Sequence, residues 1–450
     1  MFPPGPTSII PGRIALAFAR DRIAFLEDVA RRYGDVVFFN VGPASFALLN
    51  HPDCVRDVLV TRHRLFHKGL GLERARMLLG DGLLTSEDAR HLRQRRLMQP
   101  AFHRERIAHY GGTMVRCAER RQQEWREGAT FDVAAEMAAV TLSIAGFTLF
   151  DADVERDARD IGDALNAALG SFNLAVLPFG DRLSQLPIPP ARRFRAARAR
   201  LDSLIYQLIA DRRTAGIDGR DLLSMLIAAR DDDGDGTGMT DEQIRDEVVT
   251  LILAGHETTA NALTWTWHLL AAHPDVEARL HAEVDAVCGD RLPTTADVPS
   301  LPLTRAVFAE SLRLYPPAYL VGRRALTAYD VPGTSYVLPE RTVVLVSQYL
   351  LHRDTRFWDE AERFLPDRWL GADNAGGARH RYAYFPFGAG PRICIGEQFA
   401  WMEGVLVLAT LARRWRFERH AHGVVRLQPI VTLRPRGGLR MVARRRGESA

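Results

Sequence analysis

Apolar positions recur at helical spacing over most of the chain, and only short stretches alternate at the period of a strand. The first helical run covers residues 14 to 33 and is stopped by Gly34. Two strands follow, Val36-Val37-Phe38-Phe39 and Phe46-Ala47-Leu48-Leu49, and the turn-forming Gly42-Pro43 between them predicts a hairpin. From Pro52 to about residue 225 helical periods dominate. Breaks at Leu177-Pro178-Phe179-Gly180 and Pro187-Ile188-Pro189-Pro190 enclose a proline-punctuated apolar connection suited to a lid.

Thr240-Asp241-Glu242-Gln243 reads as a capping box, the Thr and Gln side chains satisfying backbone donors that the first helical turn leaves orphaned. It opens a helix predicted from about 241 to 272, on the order of 48 Å long at ~1.5 Å per residue. In its middle stands Ala254-Gly255-His256-Glu257-Thr258-Thr259. Gly costs roughly 1 kcal/mol inside a helix, and the Thr258 hydroxyl can reach the carbonyl of Ala254. Such a segment either bends the helix and opens a polar notch or admits a close helix crossing. The next helix, about 304 to 315, is stopped by Pro316-Pro317 and carries Glu310 and Arg313 at i, i+3, a surface pair worth ~0.2 to 0.5 kcal/mol. Short strands around Tyr336-Val337-Leu338 and Val343 to Val346 lead into an irregular segment, Phe357 to Trp369. A last helix shows its period in Phe399, Met402, Val405, Leu406 and Ala409. The fold class expected is mainly α with small β-sheets (α+β).

Composition changes this picture little. The chain has 450 residues, and its 47% hydrophobic fraction suits a large buried core. No linker or repeat divides it, so one domain over 1–450 is expected, with a β-rich part near 30–60 and 320–350. The net charge is +4, and Lys68 is the only lysine among 59 basic residues; the arginines are spread along the chain, which argues against a nucleic-acid partner. Cys54, Cys117, Cys288 and Cys394 are few and far apart, as in a reducing cytoplasm. No stretch has the ~18 to 20 apolar residues of a membrane span, so a soluble cytoplasmic protein is expected. Residues 231 to 242 match a calcium-loop pattern, but Gly238 stands where such loops place an apolar residue and no second copy exists. The stretch is therefore read as a solvated acidic connection.

The chemistry concentrates in Phe385-Pro386-Phe387-Gly388-Ala389-Gly390-Pro391-Arg392-Ile393-Cys394-Ile395-Gly396, just before the last helix. A helix N-terminus and Arg392 both favour the Cys394 thiolate, the form that binds metal or acts as a nucleophile. Zinc would need further Cys or His ligands at matching spacing, and a nucleophile would need a base; the loop identifies neither. His91 and Arg95, at i, i+4, share one helix face, which is otherwise readable as a solvated basic helix because Arg90, Arg93 and Arg96 surround them.

Together these segments resemble the cytochrome P450 family of haem-thiolate monooxygenases, of the soluble bacterial type, and the resemblance covers nearly the whole chain. Phe387, Gly390, Arg392, Cys394 and Gly396 match F-x-x-G-x-[HR]-x-C-x-G; Glu310 and Arg313 match E-x-x-R; Phe364 to Trp369 resembles the later aromatic-Pro-Arg motif, with Asp367 for the usual Glu; Ala254 to Thr259 matches [AG]-G-x-[DE]-T-[TS]. The resemblance implies haem b between the long helix and the cysteine loop, with Cys394 as axial ligand of the iron. It implies that Phe387 shields the sulfur, that backbone N–H groups after Cys394 tune it, and that Gly390 and Gly396 let the backbone pass beneath a flat ring. His91, Arg95, Arg392 and Arg323, rather than Arg324, are implied as propionate partners, and Glu310, Arg313 and Arg368 as a structural network. Thr258 and Glu257 are implied as the alcohol and acid that serve oxygen activation and proton delivery.

The reaction so implied is R–H + O2 + 2 e− + 2 H+ giving R–OH + H2O. Electrons would come from NAD(P)H through an external ferredoxin and ferredoxin reductase or a flavodoxin-type donor, docking near Arg392, Arg413 and Arg414. The implied substrate pocket comprises Leu70, Leu83, Leu84, Phe172, Leu174, Val176, Val249, Leu253, Ala254, Tyr319, Leu320, Ile430 and Val431. Its apolar lining suits a terpenoid first, then a fatty acyl chain or macrolide-like body. A haem-thiolate isomerase or peroxygenase, or a non-catalytic haem-binding sensor, are the other classes the motifs allow.

Overall fold

The computed structural model describes residues 1–150, 188–215, 221–231, 234, 236–371, 380–420 and 424–447. Within them helices predominate and small sheets lie at the edges. No described helix is long and apolar enough to cross a membrane.

Through the centre runs the helix Asp241–Leu270, opened by the capping box of Thr240 and Gln243. Most of its residues are buried, including Trp265 and Trp267 at 0% exposure. It packs against Val133–Phe150, Pro302–Leu314 and Glu397–Ala412, the last being the helix after the cysteine loop. Apolar side chains of these helices merge into one large core. A second core joins Leu78, Leu79 and Leu97 to Ile244, Val248 and Leu253 of the long helix, with Leu251 and Ile395 packed at its side.

The N-terminal hairpin forms as Val36–Val41 paired with Ala44–Leu49, and Gly42 takes the positive φ of 61° that the turn demands. It extends into a five-stranded sheet by parallel pairing of Ala44–Leu49 with Val343–Val346, followed by Val321–Ala325 and Phe66–Lys68. The antiparallel register sets Lys68 opposite Arg323.

Three expectations change. The run 14 to 33 is two helices, Arg13–Arg20 and Arg22–Tyr33, because Asp21 is extended (φ −150°) and its carboxylate accepts the N–H of Ala24 as an N-cap. Strands Phe66–Lys68 and Thr130–Asp132 interrupt the region read as helical; each is three residues long and held by partners distant in sequence. Asp231 is not solvated: it is 4% exposed and accepts bonds from both Arg96 Nε and Nη2, with Arg93 Nε at 3.3 Å. Among the described residues no cluster is placed to hold a metal ion. The proposed lid, 177 to 187, lies outside the described residues.

Candidate functional site

The cysteine loop is shaped by its own backbone and by the segment Asp57–Thr61. Cys394 N–H donates to Phe387 O (3.0 Å), folding the loop back on itself, and the Phe387 ring packs on Trp401 at 5.6 Å. Gly390 has φ 71°, and a Cβ there would lie 2.0 Å from Leu59 O. Close approach to Leu59 is by itself enough to require glycine there. Gly390→Ala is expected to cost at least about 2 kcal/mol through left-handed strain and the backbone clash, read as a lower thermal midpoint. At Gly396 a Cβ would meet only Cys394 Sγ and Phe102 at 3.9 Å, ordinary contacts, so no protein atom requires glycine there.

Of the four cysteines only Cys394 is exposed. Solvent reaches it from one side while protein surrounds the others, and burial pushes the thiol up to about 11, against the opposing pull of the Gly396 N–H and the Arg95 charge. The helix end, through the Gly396 N–H, favours the thiolate as expected, and the helping charge comes from Arg95 rather than Arg392. Arg392 pairs with Glu87 and donates to Ser86 O (3.3 Å), and it is only 12% exposed, so it also leaves the donor-docking surface. A thiolate here needs a positive charge bound to it.

Positive charge collects beside the loop. Arg95 donates to Ile393 O (2.7 Å), and Arg323, opposite Lys68, is lowered to about 10 by burial and by Arg392. Arg324 turns outward to Glu73 (2.8 Å). His91 is 4% exposed and held down to about 3 by burial and by Lys68, Arg392, Arg95 and Arg323. Lys68, lowered to about 7 by burial and by Arg392, donates to Leu83 O (2.9 Å) and Ser86 O (2.6 Å). The nearby acids do not balance these groups: Glu87 is already taken by Arg392, and burial raises Glu247 to about 8. The two remaining basic neighbours of His91 have structural partners, Arg90 at Asp81 (3.1 Å) and Arg93 at Thr237 (2.7 Å).

On the long helix Thr258 Oγ1 donates to Ala254 O at 2.6 Å, the back-bond its spacing predicts. Helical spacing places Leu251, Ala254, Gly255 and Thr258 on one stripe, and all four escape full burial in a middle section where, of the other residues from 251 to 260, only Glu257 does so too. Glu257 turns elsewhere, accepting from Thr432 Oγ1 at 2.6 Å. Thr259 faces Glu403 of the post-cysteine helix, a 1% exposed acid raised to about 8 by burial, the Thr259 hydroxyl offsetting this only in part. Both Glu403 oxygens lack a hydrogen bond of good geometry. A raised folded-state pKa means stability present at low pH and lost as pH climbs from about 4.3 through 8. Glu403→Gln should therefore match the parent near pH 4 and exceed it by a few kcal/mol at pH 8, seen by thermal unfolding across pH.

Glu310, Arg313 and Arg368 meet in the interior. Arg313 Nε and Nη2 bond Glu310 at 2.8 and 2.7 Å, and both residues are 0% exposed. Arg368 Nε (3.0 Å), Trp369 Nε1 (2.8 Å) and Leu365 N (3.0 Å) also donate to Glu310. Arg313 donates onward to His352 O (2.8 Å), and His352 Nε2 accepts the N–H of Phe385, where the cysteine loop begins. Asp367 pairs outward with Arg279 instead of joining them.

The substrate candidates divide. Tyr319 is 2% exposed, accepts from Arg22 (2.8 Å) and donates to Ile430 O (3.1 Å), and so braces the late hairpin from within the core. Val249 is likewise 0% exposed core. Leu83 and Leu253 are nearly buried, whereas Ala254 and Val431 are exposed and Leu70, Leu84, Leu320 and Ile430 partly so. Phe172, Leu174 and Val176 lie outside the described residues. Sequence reasoning missed Lys68, Glu87, His352, Trp369 and Thr432. Only Lys68 carried a signal, as the single lysine of the chain, and its compact ammonium bonds two carbonyls.

Residues 3–438 match the family described as cytochrome P450. The chain is 42% identical over 443 residues to cyclooctatin synthase of Streptomyces melanosporofaciens, covering 97% of this chain and 95% of that one. It is 39% identical to cyclooctat-9-en-7-ol 5-monooxygenase of the same organism (92% and 90% covered) and 38% identical to pentalenene oxygenase of Streptomyces avermitilis (92% and 92%). Among solved structures, the crystal structure of the cytochrome P450DA heme domain matches with a TM-score of 0.89 and 27% identity, covering 99% of this chain and 98% of that one.

Proposed function

Because the chain belongs to the cytochrome P450 family, we propose that it hydroxylates a cyclic terpenoid at an unactivated carbon. It is a monooxygenase that takes O2, and its electrons come from NAD(P)H through external redox proteins of the ferredoxin–reductase or flavodoxin type. The substrate class is supported by the names of the relatives, pentalenene oxygenase and cyclooctat-9-en-7-ol 5-monooxygenase, and by the apolar character of Leu251, Ala254 and Leu320. We read residues 1–450 as a single haem domain in the cytoplasm, the location that suits four unpaired cysteines.

The residues present fit haem b. Its iron would supply the positive charge that the Cys394 thiolate needs, and its two propionates would supply the negative charge that Arg95, Arg323 and Lys68 lack beside the Arg392–Glu87 pair. When bound through a thiolate, haem supplies the activation of dioxygen. Everything else falls to the chain. The Gly396 N–H moderates the sulfur's basicity, and Arg95 ties the His91 helix to the loop beside Cys394. The proton of Thr258 is spent on Ala254 O, so its free lone pairs hold a proton-carrying water, and Glu257 relays protons to it from solvent.

The observation that carries this reading is the accessible Cys394 beside an interior excess of positive charge. Its test is the spectrum of the reduced, carbon-monoxide-bound protein together with pentalenene turnover. A strongly red-shifted Soret band and an oxygenated product that needs NAD(P)H, a ferredoxin and its reductase are expected. A Soret band without that shift refutes thiolate ligation, and product formed without external electrons refutes the monooxygenase reading.

A further inference from the structure

The Glu257 carboxylate is held by a part of the chain 175 residues away. Its partner, Thr432, lies in the turn between strands Leu427–Pro429 and Leu433–Pro435. That turn is fixed on three sides: Tyr319 Oη donates to Ile430 O (3.1 Å), Leu433 N–H to Pro317 O (2.9 Å) and Trp265 Nε1 to Leu433 O (3.0 Å). Asn261, one helical turn beyond Glu257, donates to Thr432 Oγ1 at 3.1 Å. This fills an acceptor site of the hydroxyl and leaves its single proton aimed at Glu257 (2.6 Å). Thr432 and Asn261 are each 6% exposed, so the Thr432 end of these bonds is shielded from water.

The same carboxylate borders a half-open cavity of about 250 Å³, lined also by His256, Asn261, Gln428 and Arg434. It therefore has solvent on one side and a fixed hydroxyl on the other. The open stripe containing Thr258 lies on the neighbouring face of the helix, about 100° round the axis.

We propose that Thr432 is a positioning residue that parks the Glu257 side chain at this cavity, where it takes up a proton from solvent between proton deliveries. The inference rests on reading Glu257 as the proton relay. In recharging, a hydronium in the cavity gives its proton to the carboxylate: one water O–H breaks, one carboxyl O–H forms and water is left. The bond from Thr432 is strongest to the ionised acid, so protonation loosens it and frees the side chain to turn toward Thr258. Thr432 thereby separates the loading position from the delivering one.

The test uses holoenzyme of the parent and of Thr432→Val, Thr432→Ser and Glu257→Gln. In the resting state, the carboxylate stretch of Glu257 is identified by infrared difference against Glu257→Gln. During NAD(P)H oxidation with a ferredoxin, its reductase and pentalenene as probe, the fraction of electrons recovered as hydrogen peroxide is measured. Thr432→Val should shift the stretch and raise the peroxide fraction about threefold or more, and Thr432→Ser should restore both. An unmoved stretch in Thr432→Val overturns the proposal. A shifted stretch with an unchanged peroxide fraction makes Thr432 a structural tie and also overturns it, while a raised fraction in Glu257→Gln leaves the relay reading standing. If Glu257→Gln itself leaves the fraction unchanged, the relay reading fails and the proposal with it.

Discussion

Glu310→Ala will remove about 3 to 5 kcal/mol of stability, a large part of the roughly 5 to 15 kcal/mol that holds a domain folded. The figure follows from what remains behind. Arg313 would keep its charge at 0% exposure with the carbonyls of His352, Ala361 and Arg363 and the Trp358 ring as partners but no counter-charge, while Leu365 N, Arg368 and Trp369 would each lose an acceptor. Because Arg313 reaches Phe385 through His352, the damage should spread to the cysteine loop. The expected result is little soluble chain, a lowered thermal midpoint and poor haem incorporation in what survives. Arg368→Ala, which removes one of the donors to Glu310, should cost about 1 to 3 kcal/mol and still load haem. Equal damage from the two substitutions would show that Arg313 does not depend on Glu310 for its compensation.

Thr258→Ala should leave the fold intact and divert the reaction. The hydroxyl bonds only its own helix at Ala254 O, so the stability change should stay within about 0.5 kcal/mol. Without its lone pairs the site loses its hold on the proton-carrying water. Reductant and O2 should still be consumed, but oxygenated product per NAD(P)H should fall by about tenfold to a hundredfold, with the missing electrons recovered as hydrogen peroxide. Thr258→Ser should restore most of the coupling and Thr258→Val none of it. Product yield unaffected in both the Ala and Val variants would remove Thr258 from the chemistry. Peroxide assays alongside NAD(P)H and product counts make the distinction.

Much of this architecture could be read from local pattern. The capping box placed the start of the long helix at the residue where it begins, since Thr240 and Gln243 act within a single turn. The proline pair ended the helix Pro302–Leu314 for an equally local reason, and the Thr258 back-bond follows from i, i+4 spacing alone. The three-residue strands were invisible because neither has enough residues to show a period; each exists only because a distant partner supplies its hydrogen bonds. Asp231 looked solvated amid acidic neighbours, and became a buried anchor once Arg93 and Arg96, far back in the chain, closed on it.

By itself the sequence determined which residues could carry the chemistry: a thiol in a glycine-bounded loop, an acid beside an alcohol in a helix interior, and a Glu and Arg three apart. Residue type and short-range spacing decide such matters, and folding does not alter them. Partners and charge states were decided only by the tertiary structure. It gave Arg392 to Glu87, set Lys68 beside Arg323, raised the Cys394 thiol by burial and turned Glu257 to Thr432. The physical reason is that desolvation and pairing depend on distance in space, and every one of these partners lies far away in the chain.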